Sequence, residues 1–305
     1  MPRTYYGPAA ENYSTYAASP NANIGRHELG SYLILPDQRK YAFALNDGTA
    51  EVAGNLYQSV ASVAGHTNRP ADVARAIGAV VVSGTLVTTA AADDIYAEGI
   101  VHINNDTGQG YSYRIRRANT IEAANADAVA SGVLTVNLLA GETVQVAIDT
   151  TTELSFTRNR FHQILITAAP PTAALAGVSP GVAAADRFYW SQLQGYAAVL
   201  ADGTLRVGLP VSASIATAGA VESTKRRLQG GGATALVVTT GLAYFYLVDD
   251  AGVTTLNAII TTTAGTTVGV DATGGIAYNS PIVGQCIKAN ATTDYGLIDL
   301  ALQGT

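Results

Sequence analysis

The sequence predicts an all-β protein, and three observations carry that expectation. Runs of β-branched and aromatic residues recur at strand length, Gly, Asn and Asp separate them, and only two short stretches have a helical pattern. Ala, Gly, Thr and Val make up nearly half of the 305 residues, which include one Cys, one Met, one Trp and four His. At that length we expect two β-barrel- or sandwich-like domains behind an extended N-terminal arm. The boundaries read as arm 1–40, first β domain 41–168, linker 169–186 and second β domain 187–305.

The arm is set apart by Pro2, Pro8, Pro20 and Pro36, which break any helix, and by Tyr5, Tyr6, Tyr13 and Tyr16 in its first sixteen positions. An extended segment cannot bury four tyrosines in a core of its own. Tyr joins a large apolar face to a hydroxyl, the combination enriched at protein interfaces, so these four are the candidate neighbour-contact residues.

In the first domain, Val80–Thr88, Gly99–Asn104, Gly110–Arg117, Gly132–Leu138, Thr143–Ile148, Thr152–Thr157 and Phe161–Thr167 read as strands. Within Gly110–Arg117, Tyr111, Tyr113 and Ile115 fall on one face and Ser112, Arg114 and Arg116 on the other, the period of a half-buried strand. The turn Asn104-Asn105-Asp106-Thr107-Gly108 tolerates left-handed backbone and fits a hairpin. Pro70–Ile77 and Thr120–Ala130 are the two helical candidates.

Ala168 to Gly177 contains Pro170-Pro171, which cannot continue a ladder, and reads as the interdomain linker. The second domain then takes its strands from Arg187–Leu193, Tyr196–Leu200, Leu205–Val207, Ala235–Thr239, Ala243–Val248, Val253–Thr261, Ile282–Ala289 and Leu297–Leu302, with Gly230–Gly232 as a loop. Ala42–Val52 and Ala197–Val207 echo each other, each with Asp-Gly between apolar runs, the signal of a tight hairpin.

Composition narrows the function. Seventeen basic against 23 acidic residues give a net charge of −6, which disfavours phosphate-backbone binding, so no nucleic-acid partner is expected. Arg114, Arg116 and Arg117, and Lys225, Arg226 and Arg227, read as solvated edges or protein contacts. The start lacks the pattern of a secretory leader, and the tracts Ala76–Ala92 and Ala251–Val270 are interrupted by Thr, Ser and Gly, so neither export nor a membrane partner is expected. The lone Cys286 excludes an internal disulfide and reads as a buried apolar thiol.

Catalytic patterns are weak. Gly177-Val178-Ser179-Pro180-Gly181 matches a nucleophile elbow, but the elbow uses the N–H after the serine to hold an oxyanion, and Pro180 has none. His27, His66, His102 and His162 form no metal-ligand spacing, and Asp93-Asp94 and Asp249-Asp250 read as turn carboxylates. No phosphate-cradling or dinucleotide motif occurs, so the expectation is no enzyme, no cofactor and no metal.

The segments Gly108–Arg117, Leu154–His162, Gly177–Val182 and Phe188–Gly195, with Trp190-x-Gln192-x-x-Gly195 the most distinctive piece, and the closing Ile282–Ile287 and Leu297–Leu302, resemble head proteins of tailed bacteriophages. The likeness is to capsid decoration (cement) proteins and covers residues 26–222 and the last two strands. The resemblance implies a virion protein, made in the host cytoplasm, that binds the major capsid protein on the outer surface of the head as a homotrimer near local threefold positions. Nothing in that likeness answers to 233–275, which reads as an added surface subdomain. The alternative is a tail or fibre adhesin that binds a host-surface glycan, with Tyr244, Tyr246 and Trp190 as its aromatic platform. A polysaccharide depolymerase comes third.

Overall fold

The computed structural model describes residues 3–8, 10–17, 27–117, 125, 128–224, 281–290 and 294–302, and backbone strands alone between 227 and 277. Among the described residues the protein is almost wholly β, with two single-turn 3-10 helices, Glu11–Tyr13 and Ala64–His66. The strands up to the first excursion from the main sheet are β1 (Thr4–Tyr6), β2 (Tyr16–Ala17), β3 (Tyr32–Ile34), β4 (Lys40–Leu45) and β5 (Leu56–Gln58). An inserted lobe follows, with β6 (Arg69–Pro70), β7 (Val81–Thr85), β8 (Ile100–Asn105), β9 (Ser112–Arg114), β10 (Val133–Asn137) and β11 (Glu153–Thr157). The chain returns through β12 (Leu165–Ile166), β13 (Leu175–Val178), β14 (Arg187–Leu200), β15 (Pro210–Ala213) and β16 (Val221–Ser223). Next come β17 (Arg227–Gln229), β18 (Ala235–Val237), β19 (Leu242–Val248), β20 (Thr254–Thr261), β21 (Thr267–Gly269) and β22 (Gly275–Ala277), before the closing β23 (Ile282–Lys288) and β24 (Tyr295–Ala301). No helix among these residues is long and apolar enough to cross a membrane.

The principal sheet runs β1-β3-β4-β14-β24-β23-β15-β16, with β2, β5, β12 and β13 attached to it off that path. β14 organises it. Phe188 to Gln192 pair antiparallel with Leu45 to Tyr41 of β4, the register slips at Leu193 so that Gln194 pairs with Lys40, and Gln194 to Leu200 also pair with Ala301 to Tyr295 of β24. The slip is a β-bulge, which bends and twists a strand. It falls at Leu193, two residues before Gly195, whose φ is 86° and where a Cβ would lie 2.9 Å from Arg39 Cγ, so that position favours a residue without a side chain. Sequence reading breaks the strand here into two; the structure keeps one strand and bends it.

The bend separates two environments. Phe188 to Leu193 are buried on both faces, whereas from Gln194 onward outward and inward residues alternate. Below the first half, Phe43 stacks on Phe188 with ring centroids 5.4 Å apart and meets Trp190 edge-on at 5.0 Å. Such pairs add about 0.5–1.5 kcal/mol each beyond their buried area. The inserted lobe has its own core, in which β6-β11-β8-β9 and β7-β10 share Val82, Val101, Ile115, Leu134, Leu154 and Phe156. Its predicted β8–β9 hairpin forms, with Asp106 and Gly108 at positive φ in the turn.

Domain organisation differs from the expectation. The chain divides into one unit of 1–223 with 282–305 and a second of 224–281, not at 169–186. β14 belongs to the sheet of β4, and the expected linker contains β13, fully buried and paired with β5 and β14. The prolines interrupt the ladder only briefly. Gln58, itself buried, accepts hydrogen bonds from the amides of Ala168 and Thr172 and donates to Thr172 Oγ1, so one side chain serves backbone that the prolines keep out of the sheet. The arm is likewise part of the fold, since β1 pairs with β3 and β2 with β14.

Smaller differences concern single segments. Pro70–Ile77 is not a helix because the amides of Ala71, Asp72 and Arg75 donate to Thr152, Ser83 and Ile148. Of Thr120–Ala130, residues 120–124, 126 and 127 lie outside the described residues, while Asn125 and Ala128 form β-bridges. Thr143–Ile148 and Leu205–Val207 form no strand. The two Asp-Gly turns join strands that do not pair with each other, so neither is a hairpin.

The second unit is a set of nested antiparallel pairs, β17 with β22, β18 with β21 and β19 with β20. Arg227 lies opposite Ala277 and Ala235 opposite Gly269, so the same number of residues separates the two pairings on each side. The stretch 233–275 falls inside this unit, and Gly230–Gly232 and Asp249-Asp250 lie outside the described residues. In the first unit, Ser223 and Ile282, where this segment leaves and rejoins, pair with the adjacent residues Val211 and Ser212 of β15.

Two substitutions test this account by denaturant unfolding. Phe43→Ala removes the ring shared by Phe188 and Trp190 and should cost about 3–5 kcal/mol. Gly195→Ala, strained at its positive φ and crowded by Arg39, should cost at least ~1 kcal/mol; midpoints matching the parent protein would refute the role given to the bend.

Candidate functional site

The four arm tyrosines divide in two. Tyr5 and Tyr16 turn inward and pack on the principal core, Tyr5 against His27 at 4.4 Å between centroids and Tyr16 against Phe43 at 5.8 Å. The Tyr16 hydroxyl donates to the Glu11 carboxylate, and burial raises its pKa. Tyr6 and Tyr13 face outward, 82% and 60% exposed.

Tyr13 rims a cleft of about 530 Å³ with two aromatic residues that sequence reading did not single out, Tyr196 and Tyr295, 59% and 51% exposed. Both stand on the outer face of the β14–β24 pair. Leu200 is the partner of Tyr295, so Tyr196 lies four residues along the ladder from it, about 14 Å away by strand geometry, with the small Ala198 between. The strand alternation beyond Gly195 could have revealed Tyr196, because period 2 puts Gln194, Tyr196 and Ala198 on one face.

Glycines seat these side chains. A Cβ at Gly54 would lie 2.5 Å from the Tyr295 ring, one at Gly181 would meet the Tyr13 ring at 3.5 Å, and Arg39 lies over Gly195. Val52 and Val182, both exposed, extend the apolar rim, while Arg39, Ser179 and Gln192 supply its polar groups. Arg39 Nε pairs with Asp37 at 2.6 Å, and Gln192 Nε2 donates to the carbonyl of Tyr196 at 2.9 Å. The cleft is therefore an aromatic surface with a few oriented polar groups, a geometry for holding a partner.

The residues tested for chemistry lie elsewhere or are engaged. Ser179 is buried, and its hydroxyl donates to the Gly181 carbonyl at 2.7 Å. It follows a true strand, β13, which sequence reading did not foresee. His27 packs among aromatic rings; His66, buried, bonds the Tyr96 hydroxyl and the Thr89 carbonyl; His102 lies beside Asn104; and His162 is buried, its pKa lowered to about 3 by burial and Arg158. Asp93 is exposed but Asp94 is buried, contrary to its reading as a solvated turn residue. Among the described residues no three His, Cys, Asp or Glu side chains are grouped to hold a metal. Cys286 is buried in the principal core, and burial raises its thiol pKa.

Nor are the central arginines a solvated edge. Arg117 Nε pairs with Glu98 at 3.2 Å and Arg114 with Glu28 at 3.6 Å, while Arg117 also donates to the His27 carbonyl, tying 27–29 to the inserted lobe. Side chains of Lys225, Arg226 and Arg227 lie outside the described residues.

Two carboxyls are held high. Burial pushes Glu98 up to about 7, with Arg117 and the Leu29 amide holding it back. Burial pushes Glu51 up to about 8; the hydroxyls of Tyr57 and Tyr189 lie close enough to temper the shift but complete no hydrogen bond with its oxygens.

No protein-family model, curated protein or solved structure matches this chain.

Glu51 yields a pH test. Its folded pKa of about 8 lies above the ordinary 4.5, so the native state holds the proton more tightly. The stabilisation is complete below about pH 4.5 and is lost as pH rises through 8. Glu51→Gln should therefore gain stability over the parent on going from about pH 5 to about pH 9, by a few kcal/mol in order of magnitude. Parallel pH profiles of unfolding midpoint for the two proteins would contradict the assignment.

Proposed function

We propose that this chain is a structural protein of a tailed-phage virion, a decoration protein that binds the major capsid protein on the outer face of the head and stabilises the shell. The observation that carries this reading is the cleft rimmed by Tyr13, Tyr196 and Tyr295 on an all-β body. Rigid, half-exposed tyrosines lose little conformational freedom on docking and often dominate interface energy. A protein repeated over a shell, as a homotrimer, needs only a modest interface at each copy because linked contacts multiply. On this reading the chain performs no catalytic step.

A second reading, a glycan-binding adhesin, draws on the same rings beside Arg39. It loses Trp190, whose indole is 1% exposed, and the side chains of Tyr244 and Tyr246 lie outside the described residues.

The test mixes purified chain with capsids that lack it. Co-sedimentation and greater resistance of the shell to heat or low salt are expected. Tyr196→Ala and Tyr295→Ala should each weaken binding about 5- to 30-fold, the range of an interface anchor. Tyr111→Ala, exposed on the inserted lobe, should leave it unchanged. Absence of both co-sedimentation and protection would end the decoration reading, and binding to a glycan surface that Tyr196→Ala abolishes would favour the second.

A further inference from the structure

Two arginines beyond β11, both half-buried, lack a carboxylate partner among the described residues. Arg39, Arg114 and Arg117 have carboxylate partners, whereas among the described residues no carboxylate lies within ion-pair distance of Arg158 or Arg160. Both line a cleft of about 200 Å³ together with Asn159, Tyr96, Ser59 and Ser62.

Their guanidinium groups are positioned by other contacts. Arg160 donates through Nε, at 2.7 Å, and through Nη2 to the Leu175 carbonyl, and sits 5.6 Å from the centroid of the Phe161 ring. Arg158 donates from Nη1 to Gln163 at 3.0 Å, while its Nε is buried without a hydrogen-bond partner. The groups around Arg158 bring no negative charge. Tyr96 is a phenol held protonated by burial, and the pKa values of His66 and His162 are lowered by burial with Arg158 adding to the effect. Burial lowers the pKa of both arginines as well.

Two half-buried cations without a counter-charge are costly, and an unsatisfied buried donor calls for an explanation. An oxyanion in the cleft supplies the missing counter-charge, because guanidinium donors match its geometry and charge-assisted bonds are about twice as strong as neutral ones. The tethers to Leu175 and Gln163 reduce the ordering cost of binding. The hydroxyls of Ser59 and Ser62 are available as further donors, since neither bonds within the described structure.

We propose that the cleft between 59–63 and 156–160 is a binding site for one oxyanion, held between Arg158 and Arg160. The inference is independent of the capsid reading. Its source is either a free tetrahedral anion or the carboxylate of an acidic side chain, and the experiment separates these.

The full chain is titrated with sodium selenate and, separately, with N-acetyl-aspartate amide, each against sodium chloride at matched ionic strength, while thermal unfolding is followed. A saturable rise in midpoint is expected with at least one probe. Arg158→Gln and Arg160→Gln should weaken the apparent affinity tenfold or more, and Tyr196→Ala should leave it unchanged. Saturation by selenate alone supports a free tetrahedral anion; saturation by the carboxylate alone supports an acidic side chain; saturation by both supports the site with either source. General salting effects stabilise without saturation, so an identical unsaturable rise in parent and variants overturns the proposal. If the glutamine variants do not fold, Ser62→Ala and Arg160→Lys replace them, with crystals of the parent protein grown in selenate. Where selenate saturates, an anomalous selenium peak between Arg158 and Arg160 supports the site and its absence overturns it; where only the carboxylate saturates, density for N-acetyl-aspartate amide between the two arginines, in crystals grown with it, is the corresponding test.

Discussion

The principal sheet depends on one strand meeting two demands in sequence. β14 must bury large aromatic side chains against β4 in its first half and expose one face beside β24 in its second. A straight strand would carry one pairing register through both. The bulge at Leu193 and the positive φ of Gly195 let the strand change environment within a few residues, and the stem of Arg39 packs against Gly195. The aromatic knot of Phe43, Phe188 and Trp190 and the outward pair of Tyr196 and Tyr295 are thus set by the same strand. Loss of the bend would disturb the core and the cleft together.

The fold class and many of the strands were legible because alternation and turn chemistry are local. Gly110–Arg117 illustrates this: Tyr113 and Ile115 are buried while Ser112 is exposed, and the turn before it forms the hairpin. What could not be read depends on distant partners. Nothing near Pro70 reveals that the amides of Ala71 and Asp72 will be claimed by Thr152 and Ser83, and nothing near Pro170 reveals that Gln58 will bridge the prolines. The domain boundary failed for the same reason, since the pairing of β4 with β14 spans more than a hundred residues of intervening chain. Of the cleft's aromatic rim, only Tyr13 was singled out beforehand. Tyr196 was available from its strand period, whereas Tyr295 needed the register of β24 against β14.

Buried and half-buried polar side chains perform a recurring task, supplying backbone partners where irregular segments leave the sheets. Asn46 accepts from the Arg187 amide and donates to the Ala184 carbonyl, Asn290 accepts from the Leu205 amide, and Glu98 accepts from the Leu29 amide. Unpaired backbone groups in the interior would each cost on the order of 1–3 kcal/mol, so these contacts allow loops to be fixed without added secondary structure. Glu51 departs from that pattern: its buried carboxyl oxygens accept no hydrogen bond, and burial raises its pKa further than that of Glu98, which accepts from Leu29 and pairs with Arg117.

The points where 224–281 leaves and rejoins the sheet have a consequence for how such a chain can diversify. Ser223 and Ile282 sit on either side of β15, opposite neighbouring residues, so their backbones are about 10 Å apart, two inter-strand spacings. A gap that narrow can be closed by a few residues or by many, and the entropy of closure grows only with the logarithm of the length. The sheet therefore offers a graft point at which segments of very different size can be exchanged while strand order on either side is retained, leaving mutation free to explore new appendages without first re-solving the folding of their host.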